Sequence, residues 1–171
     1  GATTLSVAAQ RRTATTKVEQ QMISALVLKD KGRNNKAFKM LQKIVKNMPN
    51  HAEAWYTLGI VYGRVRKHHL KDELESKLRA NELTEGRNCD VLNNVATALI
   101  HYKRLEEAEK YLKQVIDLCP WDDFAWSNLA AALDGQNREE EAVVAFEKGK
   151  HVRKEWSTPS MVTVGKEELM L

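Results

Sequence analysis

Few residues in this chain have the types and spacing that catalysis or metal binding requires. The five histidines are spread along it, at positions 51, 68, 69, 101 and 151. His68 and His69 are adjacent, so on a helix they would point about 100° apart and would not share a metal ion. No glycine-rich phosphate loop, G-x-S-x-G nucleophile elbow or H-E-x-x-H zinc motif occurs. The sequence therefore predicts no catalytic residues, no metal site, no cofactor and no enzyme activity.

The carboxylates and thiols have ordinary structural interpretations. Glu106 and Glu107 stand at the start of a predicted helix, where acidic side chains favour the positive end of the helix dipole. Cys89 and Cys119 are the two cysteines of the chain, and they form neither a C-x-x-C pair nor a disulfide framework. We expect two reduced thiols that pack as small apolar side chains, and therefore a reducing compartment.

The charge of the chain is moderate and mixed. It has 27 Lys and Arg against 23 Asp and Glu, a net charge of +4. Basic and acidic residues are interspersed along the predicted helices, which is typical of solvated faces with local ion pairs. They do not form the basic stripe that nucleic-acid binding needs, so nucleic acid is not an expected partner. No apolar run approaches the ~18–20 residues that span a bilayer, which leaves only peripheral membrane association through a partner.

These sparse side chains stand on a repeated framework. Ala108 and Ala142 are 34 residues apart (142 − 108), and the residues around them recur together. Segment 126–133 reads W-x-x-L-A-x-x-L before Ala142, and segment 92–99 reads L-x-x-V-A-x-x-L before Ala108. A fixed period of this length indicates stacked supersecondary units.

The repeat extends toward the N-terminus. Ala37 lies 71 residues before Ala108 (108 − 37), which is two periods and three extra residues. Segment 55–62, W-x-x-L-G-x-x-Y, marks the intervening copy. We name the copies repeats 1 to 4, with the boundaries 18–51, 52–88, 89–122 and 123–156.

Each repeat reads as two helices, A and B, with apolar or small residues on one 3.6-residue face. Helix A carries a small residue that lets helix B approach closely, and helix B carries an alanine in repeats 1, 3 and 4. Turns between A and B begin at Gly32, Lys103 and Gly135. The small residues on helix A are Ala25, Gly59, Ala96 and Ala130, and the helix B alanines are Ala37, Ala108 and Ala142.

Helix B of repeat 2 departs from the pattern. Strict spacing places Lys71 where a small buried residue is needed, so we expect three extra residues before Leu74. Two registers stay open. Their inward residues are Leu70, Leu74 and Leu78, or alternatively Ala80 and Leu83.

These residues resemble the tetratricopeptide repeat, whose consensus is W-x2-L-G-x2-Y…A-x3-F…P. Segment 55–62 matches the first part, and Trp126, Leu129, Ala142 and Phe146 match both parts. The resemblance covers residues 18–156. It implies an all-α fold, a right-handed α-solenoid of four helix-turn-helix repeats, with non-repeat arms at 1–17 and 157–171.

The resemblance also implies that the A helices line a concave groove. This groove would be apolar at its N-terminal end and rich in amides at the other. Asn94 and Asn128 share one repeat position, so they either form a ladder for the backbone of an extended segment or are ordinary solvated residues. The expected groove residues are Met22, Ile23, Leu26, Tyr56, Ile60, Asn93, Asn94, Thr97, Phe124 and Asn128.

Those members of the tetratricopeptide repeat family that bind the C-termini of chaperones hold two carboxylates in a clamp of Lys, Asn and Arg side chains. The corresponding residues here are Met22, Leu26, Thr57, Asp90 and Asn94. The clamp is absent, and an aspartate would repel a carboxylate, so acidic chaperone tails are not expected partners.

We therefore expect a protein–protein interaction module, acting as a scaffold, assembly factor or accessory subunit, that binds proteins through the groove and the arms. The alternative is an RNA-binding helical-repeat protein of an organelle. Residues 1–17 contain Arg11, Arg12 and Lys17 and no acid, which resembles the region of an organellar cleavage site or else an ordinary arm. This composition favours an organelle interior over the cytoplasm. The tail 157–171 is expected to cover the last repeat or to lie on a partner subunit.

Overall fold

The computed structural model describes residues 7–65 and 70–156, and these form eight α-helices without a strand. The predicted all-α class is confirmed. His68, His69 and the tail 157–171 lie outside the described residues. The helices are α1 (Val7–Asp30), α2 (Asn34–Asn47), α3 (Ala52–Val65), α4 (Leu70–Leu83), α5 (Cys89–His101), α6 (Leu105–Leu118), α7 (Asp123–Asp134) and α8 (Glu139–Trp156).

The helices fall into two compact units, Gly1–Leu83 and Thr84–Leu171. We call them the N-terminal unit, with α1 to α4, and the C-terminal unit, with α5 to α8. In each unit consecutive helices pack on one another, so that each unit contains two helical hairpins. The sequence predicted a non-repeat arm at 1–17, whereas residues 7–17 form the first part of α1.

Left-handed residues end helix A at equivalent places in three repeats. Gly32, Lys103 and Asn137 have φ values of +69°, +58° and +61°. In each case the N–H of the next residue donates to a leucine carbonyl five positions back, at 2.8 to 3.0 Å. This geometry satisfies carbonyls that a helix end would otherwise leave unpaired. The predicted turns therefore lie where the repeat period placed them.

Small residues sit at the contact between helices A and B, as predicted. Ala25, Ala96, Ala37 and Ala108 have no exposed surface. Beside them, larger apolar side chains fill the interior, and fully burying one such leucine stabilises the fold by about 1.5–3 kcal/mol. The largest fully buried side chains include Leu41, Ile44, Leu92, Leu99 and Leu112.

Helix α4 follows neither predicted register completely. Leu74 and Ala80 are both buried, and Lys71 is exposed as expected. The inward set is Glu73, Leu74, Lys77 and Ala80, with the spacing of Ala37, Phe38, Leu41 and Ile44 on α2. Two extra residues therefore precede this set (73 − 52 = 21 against 37 − 18 = 19), rather than three.

An ion pair occupies the interior positions of α4. Lys77 Nζ donates to Glu73 Oε1 at 2.6 Å, and the two side chains are only 7% and 14% exposed. Glycines on α3 make the room. A Cβ added at Gly59 would lie 2.7 Å from Lys77 Cγ, and one at Gly63 would lie 3.0 Å from Glu73 Oε2. The glycine predicted to admit close helix packing thus admits a buried lysine.

Lys77→Met should lower the free energy of unfolding by about 3–5 kcal/mol, because it removes the buried ammonium group that pairs with the nearly buried Glu73 carboxylate. The double variant Glu73→Ala/Lys77→Leu installs the residue pair that repeats 1 and 3 have here. It should recover most of the loss, because a packed apolar pair can replace a buried ion pair. Urea denaturation followed by circular dichroism measures both. A double variant as unstable as the single one would contradict this interpretation of α4.

The cysteines correct an expectation. Cys89, the first residue of α5, and Cys119, the residue after α6, form a disulfide with Cα atoms 6.5 Å apart. The prediction of two reduced thiols is wrong, and the inference of a reducing compartment loses its basis. The cysteines are 30 residues apart along the chain, but the hairpin returns one to the other. Closing a loop of this length contributes about 3–4 kcal/mol.

Candidate functional site

The predicted apolar residues of the N-terminal unit divide between core and surface. Met22 is 4% exposed and belongs to the core, so its assignment to the groove is wrong. It lies one helical turn before Ala25, on the face of α1 that is buried in the unit's core. Thr57, at a position compared above with the chaperone clamp, is 2% exposed. Ile23 is 62% exposed. Val27, one turn later on α1, is 45% exposed, and the sequence analysis did not include it among the groove residues.

Three other predicted residues of this unit are half-buried. Leu26 packs against the edge of the core. Tyr56 and Ile60, one turn apart on α3, are each partly accessible. Around the predicted groove positions of the N-terminal unit, Ile23 and Val27 are thus the most accessible apolar side chains, with partial contributions from these three.

In the C-terminal unit the structure brings three predicted residues together. Asn128 Nδ2 on α7 donates to Asn93 Oδ1 on α5 at 2.8 Å and to Thr97 Oγ1 at 3.3 Å. Asn93 Nδ2 in turn donates to Asp122 Oδ2 at 3.3 Å. We call Asn93, Thr97, Asp122 and Asn128 the amide network. Its members are all polar side chains, and their hydrogen bonds join α5 to α7 and to the residue that precedes α7.

Helix caps position the network. Asp122 caps α7, since its Oδ1 accepts N–H bonds from Phe124 at 2.9 Å and Ala125 at 3.1 Å. Its other oxygen receives Asn93, so one carboxylate both starts α7 and orients an amide on α5. Sequence reasoning missed Asp122, although an Asp directly before an apolar helical period is a signal for an N-cap.

Asn94 does not pair with Asn128, the residue at its repeat position. Its Nδ2 donates to Asp90 O at 2.8 Å, within its own helix. The amide that reaches Asn128 belongs to Asn93 instead. Position 93 of α5 is therefore the one turned toward α7, and a ladder of Asn94 and Asn128 along a bound segment stays a prediction.

The network leaves hydrogen-bonding capacity for a ligand. Both protons of Asn128 Nδ2 are used within it. No described residue donates to Asn128 Oδ1, and this oxygen is not among the buried atoms that lack a partner. The half-buried Asn128 therefore offers a fixed acceptor at the surface.

A cleft of about 580 Å³ adjoins the network at the start of α5 and α7. Its walls carry two accessible aromatic side chains, Trp121 at 44% and Phe124 at 67% exposure. Such rings provide apolar contact area next to the network's polar groups. The lining residues are Arg87, Asn88, Cys89, Asp90, Asn93, Cys119, Trp121, Asp122, Asp123 and Phe124.

A second polar cluster joins α6 to the turn between α7 and α8. Glu109, whose side chain is 11% exposed, accepts from Arg138 Nη1 at 2.7 Å, Gln136 Nε2 at 3.1 Å and Lys113 Nζ at 2.8 Å. Burial opposes the charged form of this carboxylate, but the three donors outweigh burial, so the pKa of Glu109 is lowered. The cluster fixes the α7–α8 turn onto α6.

Because its folded-state pKa is lowered, Glu109 contributes stability above its unfolded pKa of about 4.3. That contribution is lost as pH falls through the lower folded value. We expect the thermal unfolding temperature of the wild-type chain to fall as the pH is lowered from about 5 to about 3, the range in which carboxyl groups take up protons. Glu109→Gln should show a smaller fall. Glu106→Gln, an exposed position on the same helix, is the matched control and should keep the wild-type slope.

No arrangement suited to metal binding or membrane crossing is found in the part of the chain that the structure describes. There, His, Cys, Asp and Glu side chains do not converge in groups of three or more that could hold a metal ion. None of the described helices combines the length and apolar character that crossing a membrane requires.

The chain matches one family model, and it is similar in structure to solved proteins. The model described as "Bacterial transcriptional activator domain" matches residues 61–159, which is 99 of 171 residues (159 − 61 + 1). No curated protein matches. A crystal structure of MamA is 20% identical, with a TM-score of 0.76, and the match covers 87% of each chain.

Two further MamA structures give the same result. A crystal structure of MamA protein is 21% identical, with a TM-score of 0.74 over 84% of this chain and 76% of that one. MamA from Desulfovibrio magneticus RS-1 is 18% identical, with a TM-score of 0.75 over 82% and 78%. At these identities the likeness establishes the fold, which is an all-α helical repeat of the tetratricopeptide type. Because the family model covers more than half of the chain, the chain belongs to the bacterial transcriptional activator domain family.

Proposed function

We propose that this chain is a non-enzymatic protein-interaction module that binds an extended segment of a partner protein on the C-terminal unit. The observation that carries the proposal is the meeting of Asn93, Thr97 and Asn128 across α5 and α7, beside the exposed ring of Phe124. Fixed amides can hydrogen-bond to a peptide backbone, and accessible aromatic rings can contact its apolar side chains.

An extended backbone presents N–H and C=O groups that need partners. The free acceptor, Asn128 Oδ1, can receive a backbone N–H from such a segment. Its orientation is fixed in advance by Asn93 and Thr97, so little side-chain freedom is lost on binding. Trp121 and Phe124 can then take apolar side chains of the bound segment.

The N-terminal unit contributes a separate apolar contact. Ile23 and Val27 are 62% and 45% exposed and lie one turn apart on α1. Adjacent exposed apolar side chains at helical spacing suit a second contact with a protein partner. The tail at 157–171 and the basic residues of 1–17 are further proposed points of contact.

The role that follows is that of a scaffold, assembly factor or accessory subunit of a larger complex. The exposed Asp90 argues against acidic chaperone tails as ligands. The chain's family is named for bacterial transcriptional activators, and our proposal for a domain of this kind is contact with protein. The acid-free composition of residues 1–17 is the reason for proposing an organelle interior, rather than the cytoplasm, as the location of the protein.

Asn128→Ala tests the proposal. The probe is a fluorescein-labelled peptide selected from a random display library on the wild-type chain, and fluorescence anisotropy measures its affinity. We expect a loss of at least about tenfold, the equivalent of ~1.4 kcal/mol, because the acceptor and its two supporting bonds disappear. Phe124→Ala should weaken binding through lost apolar contact.

Glu140→Gln, an exposed change on α8 outside the network and the cleft, is the matched control and should bind as the wild type does. If Asn128→Ala and Phe124→Ala both retain the wild-type affinity, the peptide binds elsewhere and the proposed site is wrong. Circular dichroism of each variant separates lost contacts from lost fold.

RNA binding is the second candidate, motivated by the net charge of +4 and by Arg11 and Arg12. The described part of the chain supports it less, because many cations are already paired with carboxylates. Arg104 with Glu107 and Arg138 with Glu109 are examples, each at 2.7 Å. We expect no binding of a labelled single-stranded RNA at low salt. Binding that weakens steeply as salt rises would favour the RNA candidate instead.

A further inference from the structure

The Cys89–Cys119 disulfide lies directly beside the amide network. Both cysteines are half-buried, and both line the cleft that Trp121 and Phe124 border. A disulfide that faces a cleft of about 580 Å³ can be approached by another thiol. This placement distinguishes it from a staple enclosed in a core.

Repeat 4 shows that this position can be closed without a covalent bond. Asp123 and Arg153 stand one period after the two cysteines (123 − 89 = 153 − 119 = 34). In repeat 4 they form an ion pair, with the Arg153 guanidinium on the Asp123 carboxylate. The hairpin of repeat 4 is thus complete with a non-covalent contact where repeat 3 has its disulfide. A hairpin of this repeat type can therefore form without a covalent bond at this position.

Each cysteine is also close in sequence to one partner of the contact between Asn93 and Asp122. Asn93 follows Cys89 by one helical turn on α5. Asp122 follows Cys119 by three residues, and its N–H donates to Cys119 O at 3.0 Å. The disulfide therefore ties together the two chain segments that the 3.3 Å hydrogen bond between Asn93 and Asp122 joins.

We propose that Cys89–Cys119 is a thiol–disulfide exchange site whose redox state controls the amide network, a regulation that rests on the proposed function. The reductant is a dithiol. One of its thiolates attacks a sulfur of the disulfide, the S–S bond breaks, and a mixed disulfide forms while the other cysteine leaves as a thiolate. The second thiol of the reductant then displaces the first cysteine. The reductant ends as a disulfide, and Cys89 and Cys119 end as two thiols that have taken up its two protons.

The oxidised and reduced forms then differ locally. In the oxidised chain the start of α5 and the turn before α7 are held at fixed separation, and Asp122 keeps both its cap and its bond to Asn93. In the reduced chain that constraint is gone while both hairpins remain folded. Asn93 and Asp122 then separate more often, and the amide network loses its fixed orientation.

Hydrogen exchange on the full chain, with and without dithiothreitol, tests the proposal without any ligand. The oxidised chain should accept no thiol-alkylating label, and the reduced chain should accept two. Reduction should raise amide exchange several-fold in residues 89–97 and 119–128 and leave 52–62 in the N-terminal unit unchanged. The far-ultraviolet circular dichroism should stay the same.

The double variant Cys89→Ser/Cys119→Ser should show the exchange of the reduced chain whether or not dithiothreitol is present. Three outcomes would overturn the proposal: labelling of both thiols before reduction, unchanged exchange in 89–97 and 119–128 after it, or loss of helix throughout the chain. Peptide binding to the oxidised chain, measured separately, reports on the proposed function alone. A working switch with no peptide binding, or binding with no switch, identifies which of the two ideas fails.

Discussion

The close approach of helix A to helix B within each hairpin is the constraint on which the rest of the structure depends. In repeats 1 and 3 alanines make this approach possible, and Ala25, Ala37, Ala96 and Ala108 have no exposed surface. The approach fixes where the leucines beside these alanines are buried. It also fixes which residues at the hairpin ends come within reach of one another. The disulfide in repeat 3 and the ion pair in repeat 4 both join such ends.

Repeat 2 meets the same constraint with different chemistry. Glycine replaces alanine on α3, and the space admits an ion pair between Lys77 and Glu73 instead of an apolar pair. A buried ion pair gains its Coulomb energy against a large desolvation penalty, so it stabilises less than well-packed apolar side chains of similar volume. The contact between helices A and B can thus hold charged side chains in place of apolar ones, when the opposite helix gives them room and each charge has a partner.

The amide network shows how a polar site grows on such a framework. It starts from a helix cap, because Asp122 accepts from the N–H groups of Phe124 and Ala125 at the start of α7. The other oxygen of the Asp122 carboxylate accepts a hydrogen bond from Asn93, and the side-chain oxygen of Asn93 accepts one from Asn128. A surface acceptor is thereby fixed by the helix start itself, and anything that moves the turn before α7 moves the acceptor too.

The 34-residue period by itself determined the all-α class, the helix pairs, the turns near Gly32 and Lys103 and the buried alanines, because these follow from local spacing on a helix. Tertiary structure alone decided the rest. Met22 is buried because of how α1 is rotated in its unit, and Asn93 rather than Asn94 faces Asn128 for the same reason on α5. Cys89 and Cys119 meet because a hairpin brings together residues 30 apart. Spacing fixes the face of a helix only to within a residue, whereas a hydrogen bond or a disulfide depends on distances of a few ångströms between helices, which only packing sets.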